Sequence, residues 1–139
     1  MAHTPFIAEM VAAVTALPLH QSLGLALIDL DLPERGVTLP VDERTTNPSG
    51  VLHGGLVPLV LDVTAYLALL PSLERGASAA TLGASCSLLR AVPAGGQVTA
   101  HATLDRLGRS TAFLSARLQH GDEVVATGQV VKAVRAPAR

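Results

Sequence analysis

The sequence predicts an α+β domain in which an antiparallel sheet wraps one buried helix, and three observations predict it. The stretch from Leu56 to Leu70 is apolar almost all round, the mark of a helix enclosed by other structure rather than lying on a surface. Four strand-like runs follow it, Ala80 to Arg90, Gln97 to Leu107, Ser110 to Gln119 and Glu123 to Val134. Their separators, Pro93-Ala94-Gly95-Gly96, Leu107-Gly108-Arg109 and His120-Gly121-Asp122, are turn chemistry of hairpin length, and consecutive hairpins imply antiparallel neighbours. A single all-apolar helix beside such a sheet must be covered on the sheet's concave face.

In chain order, Phe6, Ile7, Met10, Val11, Val14 and Leu17 recur at helical spacing behind Thr4 and Pro5, a cap and first-turn pair, and Pro18 closes the pattern. A short helix over about residues 4–17 is expected. From Leu23 to Val41 the pattern turns to alternation: Leu25, Leu27, Asp29 and Asp31 share one parity, Pro33-Glu34-Arg35-Gly36 is a turn, and Val37, Leu39 and Val41 resume. That predicts a hairpin. Thr45 to Gly50 is a polar loop that delivers the chain to His53 and the apolar helix. The break from Pro71 to Gly76 ends that helix, the four strands follow, and residues 135–139 form a tail expected to fray. No internal repeat is visible, and a chain of 139 residues is expected to form one core and one domain over 1–139.

Composition excludes several classes of function. Ten Lys plus Arg stand against eleven Asp plus Glu, so the chain has no electrostatic footprint for nucleic acid. A surface with so little charge favours self-association. Cys86 is the only cysteine, which rules out an intrachain disulfide and a cysteine-based zinc site, fits a reducing cytoplasm, and leaves Cys86 to pack as a small apolar residue. The first residues lack a basic segment and carry Glu9, unlike a signal peptide. Pro58 and Asp62 interrupt the best apolar run before it reaches the roughly 18 residues of a membrane span. A soluble cytoplasmic protein is expected. His20, His101 and His120 form no ligand cluster with one another or with Cys86, so no metal is expected, and no G-x-S-x-G elbow marks a serine hydrolase. His3 is assigned no role.

The chemistry concentrates around Asp62, a carboxylate flanked by Leu59, Val60, Leu61 and Val63. Gly55, Pro58, Asp62 and Tyr66 fall on one helical stripe, which therefore cannot be ordinary core. Two readings are open: a polar stripe whose acid is tied to a structural donor, or an acid in a partly dry cleft, where desolvation makes it a useful general base or nucleophile. His53-Gly54-Gly55 opens the helix, and Pro58 must lie in its first turn because its ring would otherwise clash with the carbonyl four residues back. Regular helix therefore begins at about Gly55, leaving the Gly54 N–H free to meet a developing oxyanion. At about 1.5 Å rise per residue, Gly54 and Asp62 lie roughly 12 Å apart along the axis, too far for one bound carbonyl to touch both. If both serve one substrate, they come from different subunits of a two-fold dimer with composite sites.

These residues resemble a known family. Asn47, Gly50, His53, Gly54, Gly55 and Asp62 match the N-x-x-G-x-x-H-G-G-x(6)-D pattern of hotdog-fold acyl-CoA thioesterases of the phenylacetate-degradation (PaaI) type, close to the Arthrobacter-type 4-hydroxybenzoyl-CoA thioesterases. Leu23-Gly24-Leu25, Thr81 with Ser87-Leu88-Leu89-Arg90, and Gly108-Arg109-Ser110-Thr111-Ala112-Phe113 extend the resemblance over about residues 18–134. It implies a hotdog fold, with the sheet around one long central helix, and homodimers whose sheets join and pair again into homotetramers. It further implies an acyl-CoA substrate cleaved without a separate cofactor, Asp62 activating water or attacking the thioester carbonyl, and the Gly54 N–H polarising that carbonyl. By the same matching, Asn47 orients the water or the carbonyl oxygen, Thr81 assists the water beside the acid, and His53 supports the loop and the thioester end rather than acting as the base. Gly55, Tyr66, Arg90 and Arg109 complete the expected substrate-binding set, the arginines, with Arg106, being suited to the phosphates of CoA. Gly83, where relatives often have a polar or acidic residue, and Pro58 depart from the family pattern.

Three functions compete on this reading. The first is hydrolysis of an acyl-CoA to a carboxylic acid and free CoA. The second is a non-catalytic acyl-CoA-binding hotdog module, which would bind ligand without releasing thiol. The third, a hotdog hydratase or dehydratase, lacks its His and acid spacing here. The few aromatics, Phe6, Tyr66 and Phe113, make the expected pocket mostly aliphatic.

Overall fold

The computed structural model describes residues 4–138, so His3 and the last residue of the expected tail lie outside the described part of the chain. Helix α1 (Pro5–Ala16) starts as the sequence predicts, with Thr4 as its cap and Pro5 in its first turn, and buries Phe6, Ile7 and Val11. Pro18 ends the pattern but does not end helical structure, a correction to the expectation that the helix closes there and that alternation begins at Leu23. Leu17 is held extended, as a residue before proline prefers, and Pro18 then opens a second helix, α2 (Pro18–Leu23), because a first helical position tolerates its missing N–H. Gly24 closes α2 with φ 75°, and buried His20 ties α2 to α1 through Nδ1, 2.9 Å from the Val14 carbonyl.

The hairpin forms, but with short arms. Strand β1 is only Ala26–Leu27 and pairs antiparallel with β2 (Val37–Pro40). The alternation at Asp29 and Asp31 is not strand: Asp29 accepts the Asp31 backbone N–H at 2.9 Å, the local bond by which Asp favours turns. Helix α3 (Leu56–Leu69) carries Pro58 in its first turn and passes into a single 3-10 turn, Leu70–Ser72.

The remaining strands are β3 (Ser78–Leu88), β4 (Gln97–Leu107), β5 (Thr111–His120) and β6 (Glu123–Arg135). They join the hairpin in one antiparallel sheet of order β1-β2-β4-β5-β6-β3. The Gly108 and Gly121 turns make hairpins, whereas the Pro93 to Gly96 separator does not. β3 pairs with β6 and β4 with β2, so the intervening chain crosses the end of the sheet. Its backbone is spent on other partners: Val92 O accepts from Leu52, Ala94 N–H donates to Gly50 O, and Gly95 N–H donates to Val41 O. Turn-forming residues alone do not distinguish these two uses.

The sheet curls around α3, as the hotdog architecture requires. Val57, Val60, Leu61, Thr64, Ala65, Leu67 and Leu69 are buried in its concave face. Pro58, Leu59, Asp62, Val63 and Tyr66 form a half-buried stripe, so the helix is not enclosed all round within one chain. At the other edge, β3 is exposed over most of its length, with Leu82 63% and Leu88 49% accessible. Between Thr81, opposite Lys132, and Gly83, opposite Val131, the extra residue Leu82 makes a β-bulge. No helix among the described residues is long and apolar enough to cross a membrane.

Leu61 sets the height of α3 above the sheet. It lies over Gly128 of β6, where an added β-carbon would stand 2.8 Å from Leu61 Cδ1 and 2.6 Å from the Ser85 carbonyl oxygen. Gly128→Ala is therefore expected to destabilise the protein by about 1–3 kcal/mol, the usual cost of overpacking, measured by urea denaturation. An unchanged midpoint would show that the helix has slack at this point.

Candidate active site

The loop before α3 is built to present the Gly54 N–H. Asn47 O accepts from Gly50 N–H at 2.9 Å, and Gly50, which ends this turn, takes φ 77°, a left-handed conformation that glycine adopts without strain. The Asn47 side-chain oxygen accepts from Ser49 N–H at 3.0 Å and Val51 N–H at 3.4 Å. Because that oxygen is used by the turn, the side-chain NH₂ is the group Asn47 has to offer. His53 then bends back on the helix start: its Nδ1 accepts the Gly55 N–H at 2.9 Å, which leaves the ring proton on Nε2 in the neutral imidazole. A β-carbon on Gly55 would stand 2.9 Å from the His53 ring, so this contact explains the second glycine. The next two N–H groups, of Leu56 and Val57, donate to the carbonyls of His53 and Gly54. Among the described residues the Gly54 N–H has no partner.

Gly54 lines a cleft of about 370 Å³, whose walls are mainly aliphatic, from Val51, Leu52 and Val57 to Leu88, Leu89 and Val125. Asn47 and Arg90 line the same cleft. Arg90 is exposed at its edge and pairs with Glu123 at 2.6 Å. The structure thus brings Asn47, Gly54 and Arg90 together.

Asp62 stands elsewhere, and it is tied to a cation and a hydroxyl, as the first of the two sequence readings has it. Lys132 Nζ lies 2.7 Å from Asp62 Oδ1 and 3.0 Å from Thr81 Oγ1. Thr81 Oγ1 in turn donates toward Asp62, 2.8 Å from Oδ1 and 3.0 Å from Oδ2. The carboxylate side chain is 33% exposed and the lysine side chain 4%. The ammonium also sits 5.8 Å from the centre of the Tyr66 ring, a cation–π distance. Burial pushes the Tyr66 phenol above its ordinary value, so it remains a neutral O–H donor rather than a base. Three elements meet here: α3 supplies Asp62 and Tyr66, β3 supplies Thr81, and β6 supplies Lys132.

Arg109 joins neither group. It lies in the β4–β5 turn beside Arg106 and Phe113, around a separate open hollow. Cys86 is half-buried and packs against the core as a small apolar residue. Lys132 is the residue that the sequence reading misses. Its signals are that it is the chain's only lysine and that it shares strand parity with Val130 and Val134, inside the run Val130-Val131-Lys132-Ala133-Val134. A cation on the inward parity of an apolar strand needs an anion, and Asp62 was the acid in want of a cation.

Comparisons with known proteins agree with this architecture. Residues 49–127 match the model of the family described as the thioesterase superfamily. A Pseudomonas aeruginosa protein, an esterase by name, is 34% identical over 95 residues, 68% of this chain and 71% of its own length. The crystal structure of a Haemophilus influenzae thioesterase superposes with a TM-score of 0.84 at 27% identity, covering 95% of this chain and 92% of that one. The Escherichia coli PaaI protein, from the phenylacetic acid degradation operon, shares the fold with a TM-score of 0.78 at 21% identity, covering 95% of this chain and 96% of that one.

The unequal burial of the ion pair has a measurable consequence. Asp62→Asn leaves a buried ammonium without its countercharge and is expected to cost about 3 kcal/mol of stability, while Lys132→Met leaves a carboxylate that water still reaches and is expected to cost less. Urea melts of the two variants and the double variant check the order, and an equal cost for both would contradict it. Tyr66 gives a second check, since the chain has one tyrosine and no tryptophan. Its phenolate absorbance should reach half-height above pH ~10, the ordinary tyrosine value. Above that pH the unfolded chain binds fewer protons than the folded one, so stability should fall as pH rises. A midpoint at or below pH ~10 in the folded protein would contradict the burial seen here.

Proposed function

Since the chain belongs to the thioesterase superfamily and is a thioester hydrolase, we propose that its substrate is an acyl-CoA, cleaved to a carboxylic acid and free CoA with Asp62 as the acid-base group or nucleophile. The observation that carries this reading is the unpartnered Gly54 N–H at an aliphatic cleft. A thioester carbonyl seated there would accept a hydrogen bond from Gly54, and the Asn47 amide, which lines the same cleft, would donate a second. These donors gain strength as negative charge develops on the carbonyl oxygen, which is when they lower the barrier. In the water route, an O–H bond of water breaks as its oxygen bonds the carbonyl carbon, and the proton passes to Asp62. The C–S bond then breaks and the proton moves to the departing thiolate. In the nucleophilic route, an Asp62 oxygen bonds the carbonyl carbon as the C–S bond breaks and the thiolate leaves; water then cleaves the resulting anhydride, regenerating the Asp62 carboxylate and releasing the carboxylic acid while the thiolate takes a proton from that water. Labelled oxygen from water enters Asp62 in a single turnover only by that route.

The acid and the Gly54 donor are separated along α3, so each site draws Gly54 from one subunit and Asp62 from its partner. The exposed β3 edge, an 11-residue strand with Leu82 and Leu88 open to solvent, is where a second copy would extend the sheet. In this reading a homodimer is the smallest active unit, a homotetramer is a pair of such dimers, and the reaction uses no cofactor beyond the CoA carried by the substrate. Arg90 is suited to the CoA phosphates at the edge of the cleft, where it would exchange Glu123 for phosphate.

Mixing two inactive variants tests the whole arrangement. Asp62→Asn is expected to abolish most release of free thiol from a panel of acyl-CoAs, read with a thiol-reactive dye. Gly54→Pro removes the N–H, and a carbon at this position meets only Leu88 Cδ2, at an ordinary 3.5 Å. After subunit exchange, half of the dimers are mixed and each regains one complete site, so roughly a quarter of wild-type turnover should return. No recovery despite proven exchange would place both groups in one subunit. Binding without thiol release by the wild-type protein would favour a non-catalytic acyl-CoA module.

A further inference from the structure

The geometry points to Lys132 as the positioning residue that decides which oxygen of Asp62 reacts, an inference that rests on the reading of Asp62 given above. An ammonium has three donors and no acceptor, so at 3.0 Å it must donate to Thr81 Oγ1. The hydroxyl then has its own hydrogen left for Asp62, and the shorter of its two distances, 2.8 Å, is to Oδ1. Lys132 also donates directly to Oδ1, at 2.7 Å. Oδ1 is therefore held by both neighbours, while among the described residues Oδ2 has only the longer contact of 3.0 Å to Thr81.

Oδ2 is thus the oxygen left to take a proton from water or to attack the carbonyl. Thr81 acquires a different role from the one the family resemblance implies. With its hydrogen aimed at Asp62, it can assist a water only through its remaining lone pair, and its main work is to relay the grip of Lys132 onto the carboxylate. The rigidity of this grip comes from burial. Lys132 projects from the inner face of β6, opposite Ala112 on β5 and Thr81 on β3, and its side chain is 4% exposed. The bulge at Leu82 lies immediately beyond Thr81, where the register of β3 against β6 shifts. Without that ammonium, the acid on the half-open stripe of α3 can turn about its side-chain bonds and is no longer held in one orientation.

Kinetics of Lys132→Met and Lys132→Gln test this role, using the acyl-CoA that the wild-type protein hydrolyses fastest. Each is expected to lower kcat on the order of 100-fold with KM nearly unchanged, because the groups that hold the carbonyl and the CoA are untouched and only alignment of the acid is lost. A lysine with a purely structural role would instead lower the melting temperature while leaving kcat per folded molecule intact, and that result would overturn the inference. Should neither variant fold, the wild-type protein still decides: its single lysine gives one side-chain ammonium resonance after selective nitrogen-15 labelling. That resonance is expected to exchange slowly with solvent and to shift when a non-hydrolysable ketone analogue of the acyl-CoA binds; no shift at saturation overturns the inference. Loss of activity in Asp62→Asn with full kcat in Lys132→Met defeats the role of Lys132 alone, whereas wild-type turnover by Asp62→Asn defeats the reading of the acid itself.

Discussion

An ammonium buried in an otherwise apolar sheet face is the constraint around which the rest of this site is arranged. Removing a charge of this size from water costs several kcal/mol even after the protein relaxes, and that cost is offset only by a well-placed counterion and further acceptors. Lys132 obtains Asp62 from the helix, Thr81 from the edge strand and the face of the Tyr66 ring. The three elements that must register correctly for the proposed catalysis are therefore the three that must register correctly to bury the charge. A one-residue slip of β3 against β6 would turn Thr81 away from the helix and leave the lysine short of an acceptor.

The same constraint explains why the chemistry is divided along the helix. The N-terminal end of α3 presents backbone donors because no residue precedes them in the helix, and the glycines keep that end open. The middle of α3 lies against the sheet, where a charged group survives only in a pair. The free donor of Gly54 and the paired acid of Asp62 are thus stable at different places on one helix, and the fold does not bring them together within a chain. In the proposed dimer, joining two sheets at the β3 edges would solve this with no new element, since the partner of each half is present in a second copy.

Much of this was legible in the sequence for identifiable reasons. Hydrophobic period and turn residues located α3 and the last four strands to within two residues, because each is long enough for its period to be unambiguous. Pro58 fixed the helix start, since its ring excludes any other first turn. The early hairpin was harder to read: its alternating aspartates mimic a strand while their side chains bond the local backbone. The Pro93-Ala94-Gly95-Gly96 segment was read as a hairpin because its residues suit any reversal, and only its long-range bonds to Gly50 and Val41 show that it crosses the sheet. At the site, Gly54 and Asp62 stood out as local anomalies, whereas Lys132 is separated from Asp62 by 70 positions.

Asp62 also shows why a single anomalous residue carries limited information. An acid on an apolar helix has the same sequence signature whether it is reactive or tied to a structural cation, and those readings were posed as alternatives. The geometry makes them compatible. One carboxylate oxygen is held by the lysine and the threonine, the other is less committed, and a third of the side chain remains open to solvent. A group that was only structural would gain by closing that opening, since a drier pair is held more tightly. A group that was only reactive would need no buried ammonium, which costs stability unless it is paired. The combination of a buried cation with a half-open anion fits an acid that must be both fixed in place and reached by substrate.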